Sequence, residues 1–222
     1  MRKKINKWFY FFIVFFLTSC IEIIDDLKIN QNGSGTFKYT INLSSSKTKV
    51  GTFLSLDSLD GKKVLKTPEI KQKINLIRIK LKEQEGITNV LITEDYVNYI
   101  IKLQLDFNNV ENLELALKET VKTFYQNGDY NYDWINYNNN VLCRNIPAFY
   151  GDYIKNYTFK EVDKLKEGSY FSITRFSNKI GKVENNKSVI SKSGMATMIK
   201  TTPDSVIYNP KLLTNKITLN KK

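Results

Sequence analysis

The chain has 222 residues, 41% of them hydrophobic and 25% charged, with a formal charge of +12 and no histidine. That balance belongs to a globular protein rather than a disordered one, and the length allows one domain or two small ones. The missing histidine excludes Ser-His-Asp triads, histidine metal ligands and imidazole acid–base catalysis.

In chain order, Arg2, Lys3, Lys4 and Lys7 lead into an apolar run from Trp8 to Leu17, closed by Thr18-Ser19-Cys20. A charged head, a short apolar centre and small residues at the end make a secretory signal peptide over residues 1–19. A membrane span needs about 20 apolar residues, so this run is too short to cross. Leu17-Thr18-Ser19-Cys20 resembles the lipobox of bacterial lipoproteins. The resemblance implies that the Cys20 thiol is acylated with diacylglycerol, carrying chains such as palmitate. Cleavage would then fall just before Cys20, and the new amino terminus would gain a further acyl chain. Two or three chains hold a protein stably where one holds it reversibly.

Loss of the signal peptide removes four basic residues and takes the charge from +12 to +8. Residues 21–154 carry 16 Lys and Arg against 17 Asp and Glu, while residues 155–222 carry 14 against 5. The basic excess therefore lies in the last third. It fits either a surface that meets anionic lipid or glycan, or a solvated lysine-rich face. Nucleic acid is not an expected partner for an exported protein. With Cys20 acylated, Cys143 has no partner in the chain, and the run Val141-Leu142-Cys143-Arg144 predicts burial.

Ile21 to Ser46 reads as a β-hairpin. Leu27 and Ile29 alternate with polar residues, Asn32-Gly33-Ser34-Gly35 supplies the turn, and Phe37, Tyr39, Ile41 and Leu43 alternate on the far side. The first strand begins almost at Cys20, so the domain should sit close to the membrane. A short helix is expected between Ser46 and Leu56. A longer one is expected from Pro68 to Glu85, with Thr67 as its cap and Gly86 as its stop. Strands follow at Ile87–Thr93 and Tyr96–Phe107, with Glu94-Asp95 at the turn. A helix from Val110 to Tyr125 carries the apolar stripe Val110, Leu113, Leu117, Val121 and Phe124. Short connections predict an α+β fold with a largely antiparallel sheet and helices packed on one face.

Residues 20–126 thus form a ββαββα-like region, and residues 127–222 a basic, β-rich one that either extends the same domain or makes a second. Strand-like runs occur at Tyr170–Phe176, Lys179–Val183, Val206–Tyr208 and Ile217–Leu219. Tyr130, Tyr132 and Trp134 alternate with Asn131, Asp133 and Ile135, and as a strand they would share a face. Such a face either stacks on sugar rings as a ligand surface or turns inward as core, and core is the commoner outcome.

The hairpin with Asn32-Gly33-Ser34-Gly35 at its turn, the stretch Gly86-Ile87-Thr88-Asn89-Val90, the long alternating strand and the helix from Val110 together resemble LppM-like and related lipoproteins of Bacteroidota. The likeness covers the N-terminal half. It implies an envelope-anchored, lipid-associated α+β domain and carries over no catalytic residue. Ile21, after Cys20, is not the aspartate that retains lipoproteins at the inner membrane of enterobacteria, so attachment is expected at the outer membrane. In that phylum Asp57-Ser58-Leu59 and Asp204-Ser205-Val206 resemble O-glycosylation sites at Ser58 and Ser205.

No motif calls for a cofactor or a metal. Ser44-Ser45-Ser46-Lys47 has the Ser-x-x-Lys spacing of penicillin-binding proteins, but Ser-Asp-Asn and Lys-Thr-Gly are absent. Asp25-Asp26 and Glu94-Asp95 are adjacent carboxylates, which a glycosidase would need facing across a substrate. A non-enzymatic binding or assembly module is therefore expected, with a carboxylate- or Ser44/Lys47-dependent hydrolase as the alternative.

Overall fold

The computed structural model describes residues 21–126, 128–147 and 167–220. The expected hairpin is present as β1 (Glu22–Ile29) and β2 (Gly35–Asn42), paired antiparallel. Its turn needs Gly33 at φ +83°, and the Asn32 side chain accepts the Ser34 N–H at 3.2 Å. A 3₁₀ turn at Ser44–Ser46 leads into α1 (Lys47–Ser55), followed by a small ribbon of β3 (Ser58–Leu59) and β4 (Lys62–Lys63).

Helix α2 (Thr67–Lys82) starts one residue before the expected proline, with Lys66 rather than Thr67 as its cap. The Lys66 N–H donates to the Glu69 carboxylate at 2.8 Å, which satisfies one of the donors a helix start leaves open. Strand β5 (Ile87–Asp95) pairs with β6 (Ile100–Phe107). The second strand was expected from Tyr96, but Tyr96 to Tyr99 make the turn. Asp95 draws the chain round by accepting the N–H groups of Val97 and Asn98 at 2.9 Å each. Helix α3 (Val110–Lys122) begins at Asn109, whose side chain accepts the Asn112 N–H at 2.8 Å.

The second half contributes β7 (Ile135–Asn138), β8 (Val141–Arg144), β9 (Ser169–Phe176), β10 (Ile180–Val183), β11 (Val189–Ile190) and β12 (Ala196–Thr201). Then come α4 (Pro203–Tyr208), a 3₁₀ turn at Pro210–Leu213 and β13 (Asn215–Leu219). The strand expected at Val206–Tyr208 is therefore helical. Its β-branched pair suggested a strand, but Pro203 starts a helix and Val206 and Ile207 bury its inner side. Tyr130 to Trp134 is not a strand either: Asn131 turns on the Asp129 side chain at 3.0 Å, and pairing starts only at Ile135.

The fold is α+β. A seven-stranded sheet runs in the order β11-β12-β9-β1-β2-β6-β5, and a four-stranded sheet in the order β10-β13-β8-β7. Pairing in the large sheet is antiparallel except between β1 and β9, which run parallel. Strands from both sides of position 127 thus share one sheet.

Among the described residues, α2, α3 and the smaller sheet pack on one face of that sheet. Leu27, Ile29, Phe37, Leu105 and Phe107 meet Leu81 of α2, Leu113 and Ala116 of α3, and Leu142 and Ile217 of the smaller sheet in one core. The opposite face is polar over β2 and β6, while on β1, β9 and β12 it also carries Ile24, Phe171, Ile173 and Met198. There Asp26 accepts twice from Arg175 Nε, at 2.9 and 3.0 Å, and Asp106 accepts from Thr36 at 2.7 Å and Asn89 at 2.8 Å. This division into a dry and a wet face is why the strands alternate.

At Gly35 the sheet and the core meet at close range. A Cβ there would lie 1.9 Å from the Lys28 carbonyl oxygen and 2.6 Å from Phe107 Cζ. Gly35→Ala is expected to destabilise the protein by ~3 kcal/mol, the upper end of overpacking costs. A thermal melt of the variant checks this, and an unchanged midpoint would refute the close approach.

Cys143 was expected to be buried. It is half-buried and free, because Leu142 and Arg144 take the inward positions of β8 and leave the residue between them on the other side.

Candidate functional site

The inner residues of β1 divide the interior into zones. Ile29 and Leu27 enter the main core. Asp25 meets Arg144, Ile23 packs on a second cluster of Tyr170, Ile199, Val206 and Leu213, and Ile21 reaches a cavity at the end of the sheet. The packed layers do not extend over that end, and α1 closes it instead.

The cavity has a volume of about 340 Å³. Its floor is Ile41 of β2 and Ile101 of β6, with Ile21 and Leu43 beside them. Its roof is Val50, Phe53 and Leu54 of α1, three residues at helical spacing. Ile70 of α2 and the rings of Tyr96 and Tyr99 complete the walls, and Ser46, Lys49, Asp95 and Glu167 bring polar groups. No residue of α1 is fully buried, so the roof is lightly held. Gly51 matters here, since a Cβ at that position would lie 3.3 Å from the Tyr99 hydroxyl. Tyr99 itself sits at φ +54°, an uncommon conformation for a bulky side chain. Strained backbone of this kind concentrates at ligand clamps and active sites.

A charged bracket fixes the tyrosine wall. The Tyr96 hydroxyl donates to Glu94, Arg78 pairs with the same carboxylate, and the Lys71 ammonium lies 4.8 Å from the centre of the Tyr96 ring. The Tyr96 hydroxyl donates to Glu94, and Arg78 adds its charge; against burial, these hold the carboxyl below its ordinary value of 4.5. Burial, then the bond to Glu94, pushes the Tyr96 phenol up to about 12. Both shifts make stability depend on pH. The lowered Glu94 contributes stability above its unfolded value of 4.5, and that stability is lost as the pH falls through the lower folded value. The raised Tyr96 contributes stability below 10.0 that is lost as the pH climbs towards about 12. The urea midpoint is therefore expected to fall on acidification below about pH 4.5, and less steeply in Glu94→Gln. Identical slopes in the two proteins would remove Glu94 from the bracket.

The carboxylate pairs do not face a common substrate position. Asp95 is held low by the Asn98 backbone N–H, then by the Asn98 side chain and the Val97 N–H. Asp26 is on the wet face, while Asp25 is only 2% exposed and bound to the Arg144 guanidinium. Burial alone would push that guanidinium down, but Asp25, then Tyr170, hold it above its ordinary value. Ser44 opens the turn before α1, its N–H donating to Asn42 Oδ1 at 3.1 Å. Among the described residues there is no group of three or more Cys, Asp and Glu placed to hold a metal ion.

Of the aromatic trio, Trp134 is in the main core at 6% exposure. Tyr130 and Tyr132 are half-buried against that core, and the Tyr130 and Trp134 rings are 5.8 Å apart. Ser58 is exposed in the β3–β4 ribbon. Ser205 is half-buried in α4, its hydroxyl 2.8 Å from that of Thr202. Residues 1–19 and Cys20 lie outside the described residues, as do six of the fourteen basic residues of the last third. No helix among the described residues is long and apolar enough to cross a membrane.

The cavity was not foreseen from the sequence. The signal was present in the spacing of Val50, Phe53 and Leu54, which gives the expected short helix an apolar side.

No family model matches the chain, and no curated protein matches it. Among solved structures it is similar to the NMR structure of the folded domain of LppM from Mycobacterium tuberculosis, at 10% identity over 94% of each chain and a TM-score of 0.41.

Proposed function

We propose that the chain is a lipid-anchored protein of the bacterial cell envelope whose folded domain binds the apolar part of an amphiphile and catalyses nothing. Acylation of Cys20 at the end of the signal peptide holds it, with the outer membrane as the site of attachment. The apolar cavity under α1 carries the binding part of this reading. Its volume falls within the range of small-molecule pockets, and its floor and roof are aliphatic and aromatic. Each methylene moved from water into such a site contributes about 0.8 kcal/mol. Lys49 at the cavity supplies a cation for a phosphate or carboxylate head group. The basic last third adds a general attraction to an anionic surface.

Binding of a fluorescent fatty acid to the Cys20→Ala protein, which carries no acyl chain of its own, tests the reading. Uptake is expected at micromolar concentration, and its loss is expected when Ile101→Glu is added, which places a carboxylate on the cavity floor. If the Cys20→Ala protein takes up no fatty acid at that concentration, the cavity is not a lipid site.

A further inference from the structure

We propose that the occupant of the cavity is the protein's own anchor: one acyl chain attached at Cys20 folds back under α1. The inference rests on the proposed acylation of Cys20 and names the amphiphile. Its basis is the position of Ile21. That residue lines the cavity, and its carbonyl accepts the Ser169 N–H at 2.7 Å, so the chain is fixed up to its first described residue. Cys20 is the next residue, and consecutive Cα atoms are about 3.8 Å apart. No tether separates the anchor from the opening, and an acyl chain leaving the Cys20 sulfur starts beside Ile21.

The chemistry of the walls selects among occupants. Glu167, the first described residue after 148–166, also lines the cavity. Half of residues 155–166 are charged, with four lysines, one glutamate and one aspartate. That composition suits an apolar cavity poorly. A free phospholipid would suit the walls, but it would have to reach the site from solution or the membrane. A chain attached one residue away is present at a high effective concentration. Withdrawing one chain leaves fewer in the bilayer. Because a single chain binds a membrane only reversibly, the cavity then sets how firmly the protein is held. The lightly held α1 is the element that would open to return the chain to the membrane.

A photo-crosslinker placed in the roof tests this. A benzophenone amino acid is introduced at position 50 of the full chain, and the protein is irradiated in its native membranes and digested. Intact mass first reports whether Cys20 carries lipid. An unmodified Cys20 overturns the inference through its premise, and the mass identifies that cause. With Cys20 acylated, the expected product joins the peptide containing position 50 to the lipid on Cys20. Its yield should fall about tenfold in Ile41→Glu, where a carboxylate faces the acyl chain. The milder Ile41→Ala should retain the fold and give an intermediate yield. Cross-links to free phospholipid alone, to residues 148–166 alone, or to nothing overturn the inference and leave the acylation of Cys20 standing.

Discussion

Replacing Asp25 with alanine is expected to destabilise the protein by about 4 kcal/mol, the typical cost of breaking one side of a buried ion pair. Asp25 is 2% exposed and Arg144 is 7% exposed, and the two carry β1 of the large sheet to β8 of the smaller one. Arg144 also donates to Ser172 Oγ at 3.1 Å, and the Tyr170 hydroxyl donates to Asp25 at 3.3 Å. Removal of the carboxylate leaves a guanidinium in the interior with only neutral partners, and its desolvation goes uncompensated. For a chain of this size each kcal/mol moves the melting midpoint by about 2–4 °C, so a drop of roughly 12 °C follows. The double replacement Asp25→Leu with Arg144→Met separates charge from packing. Buried pairs exchanged for apolar residues of similar volume are often neutral or better, so the double variant should recover most of the midpoint. A double variant as unstable as Asp25→Ala would show that shape, and not the stranded charge, is what the site requires.

The position of Asp25 also shows which features the sequence made legible. Asp25-Asp26 read only as adjacent carboxylates, and Asp26 lies on the outer face, paired with Arg175. Alternation along β1 nevertheless put Asp25 on the same side as Leu27 and Ile29, so its burial was readable from the period alone. The partner was not readable, because Arg144 arrives from 119 residues away. The same division holds elsewhere. The first hairpin and α3 were legible because turn chemistry and helix capping act over a few residues. The parallel pairing of β1 with β9 was not, since parallel strands are joined by long connections that carry no local turn signal. At α4 the local signals conflicted, with β-branched Val206 and Ile207 favouring a strand and Pro203 opening a helix. The cavity fell between these cases. The apolar side of α1 was visible as spacing, but the space beneath it follows from the register that sets Ile41 opposite Ile101.

Register therefore joins the start of β1 to the cavity. One inner face runs from the main core at Leu27, past the charged pair at Asp25 and the second cluster at Ile23, to the cavity at Ile21. The ion pair lies between two apolar regions, and a polar contact of this kind fixes which residue of β1 lies where. A slip by one residue would expose Leu27 and bury Asp26 and Lys28, so the charged pair enforces the register that brings Ile21 to the opening.

The other large effect is expected at Cys20. Cys20→Ala should abolish incorporation of labelled palmitate, leave residues 1–19 attached, and weaken membrane retention by several orders of magnitude. Each buried methylene contributes about 0.8 kcal/mol, and stable anchoring takes more than one chain, so loss of all of them exceeds any contribution from the basic surface. The retained apolar run from Trp8 to Leu17 is about half the length a membrane span needs, so the precursor should wash off in alkaline carbonate while the wild type stays. Three measurements on the same fractions decide the matter: label, intact mass and resistance to the wash. Cys143→Ala serves as the control, because Cys143 is the other thiol in the chain and lies on β8. That variant should keep label, processing and retention. A Cys20→Ala protein that is cleaved normally and stays with the membrane through the wash would end the lipoprotein reading, and would leave the cavity as a site for a ligand from outside the chain.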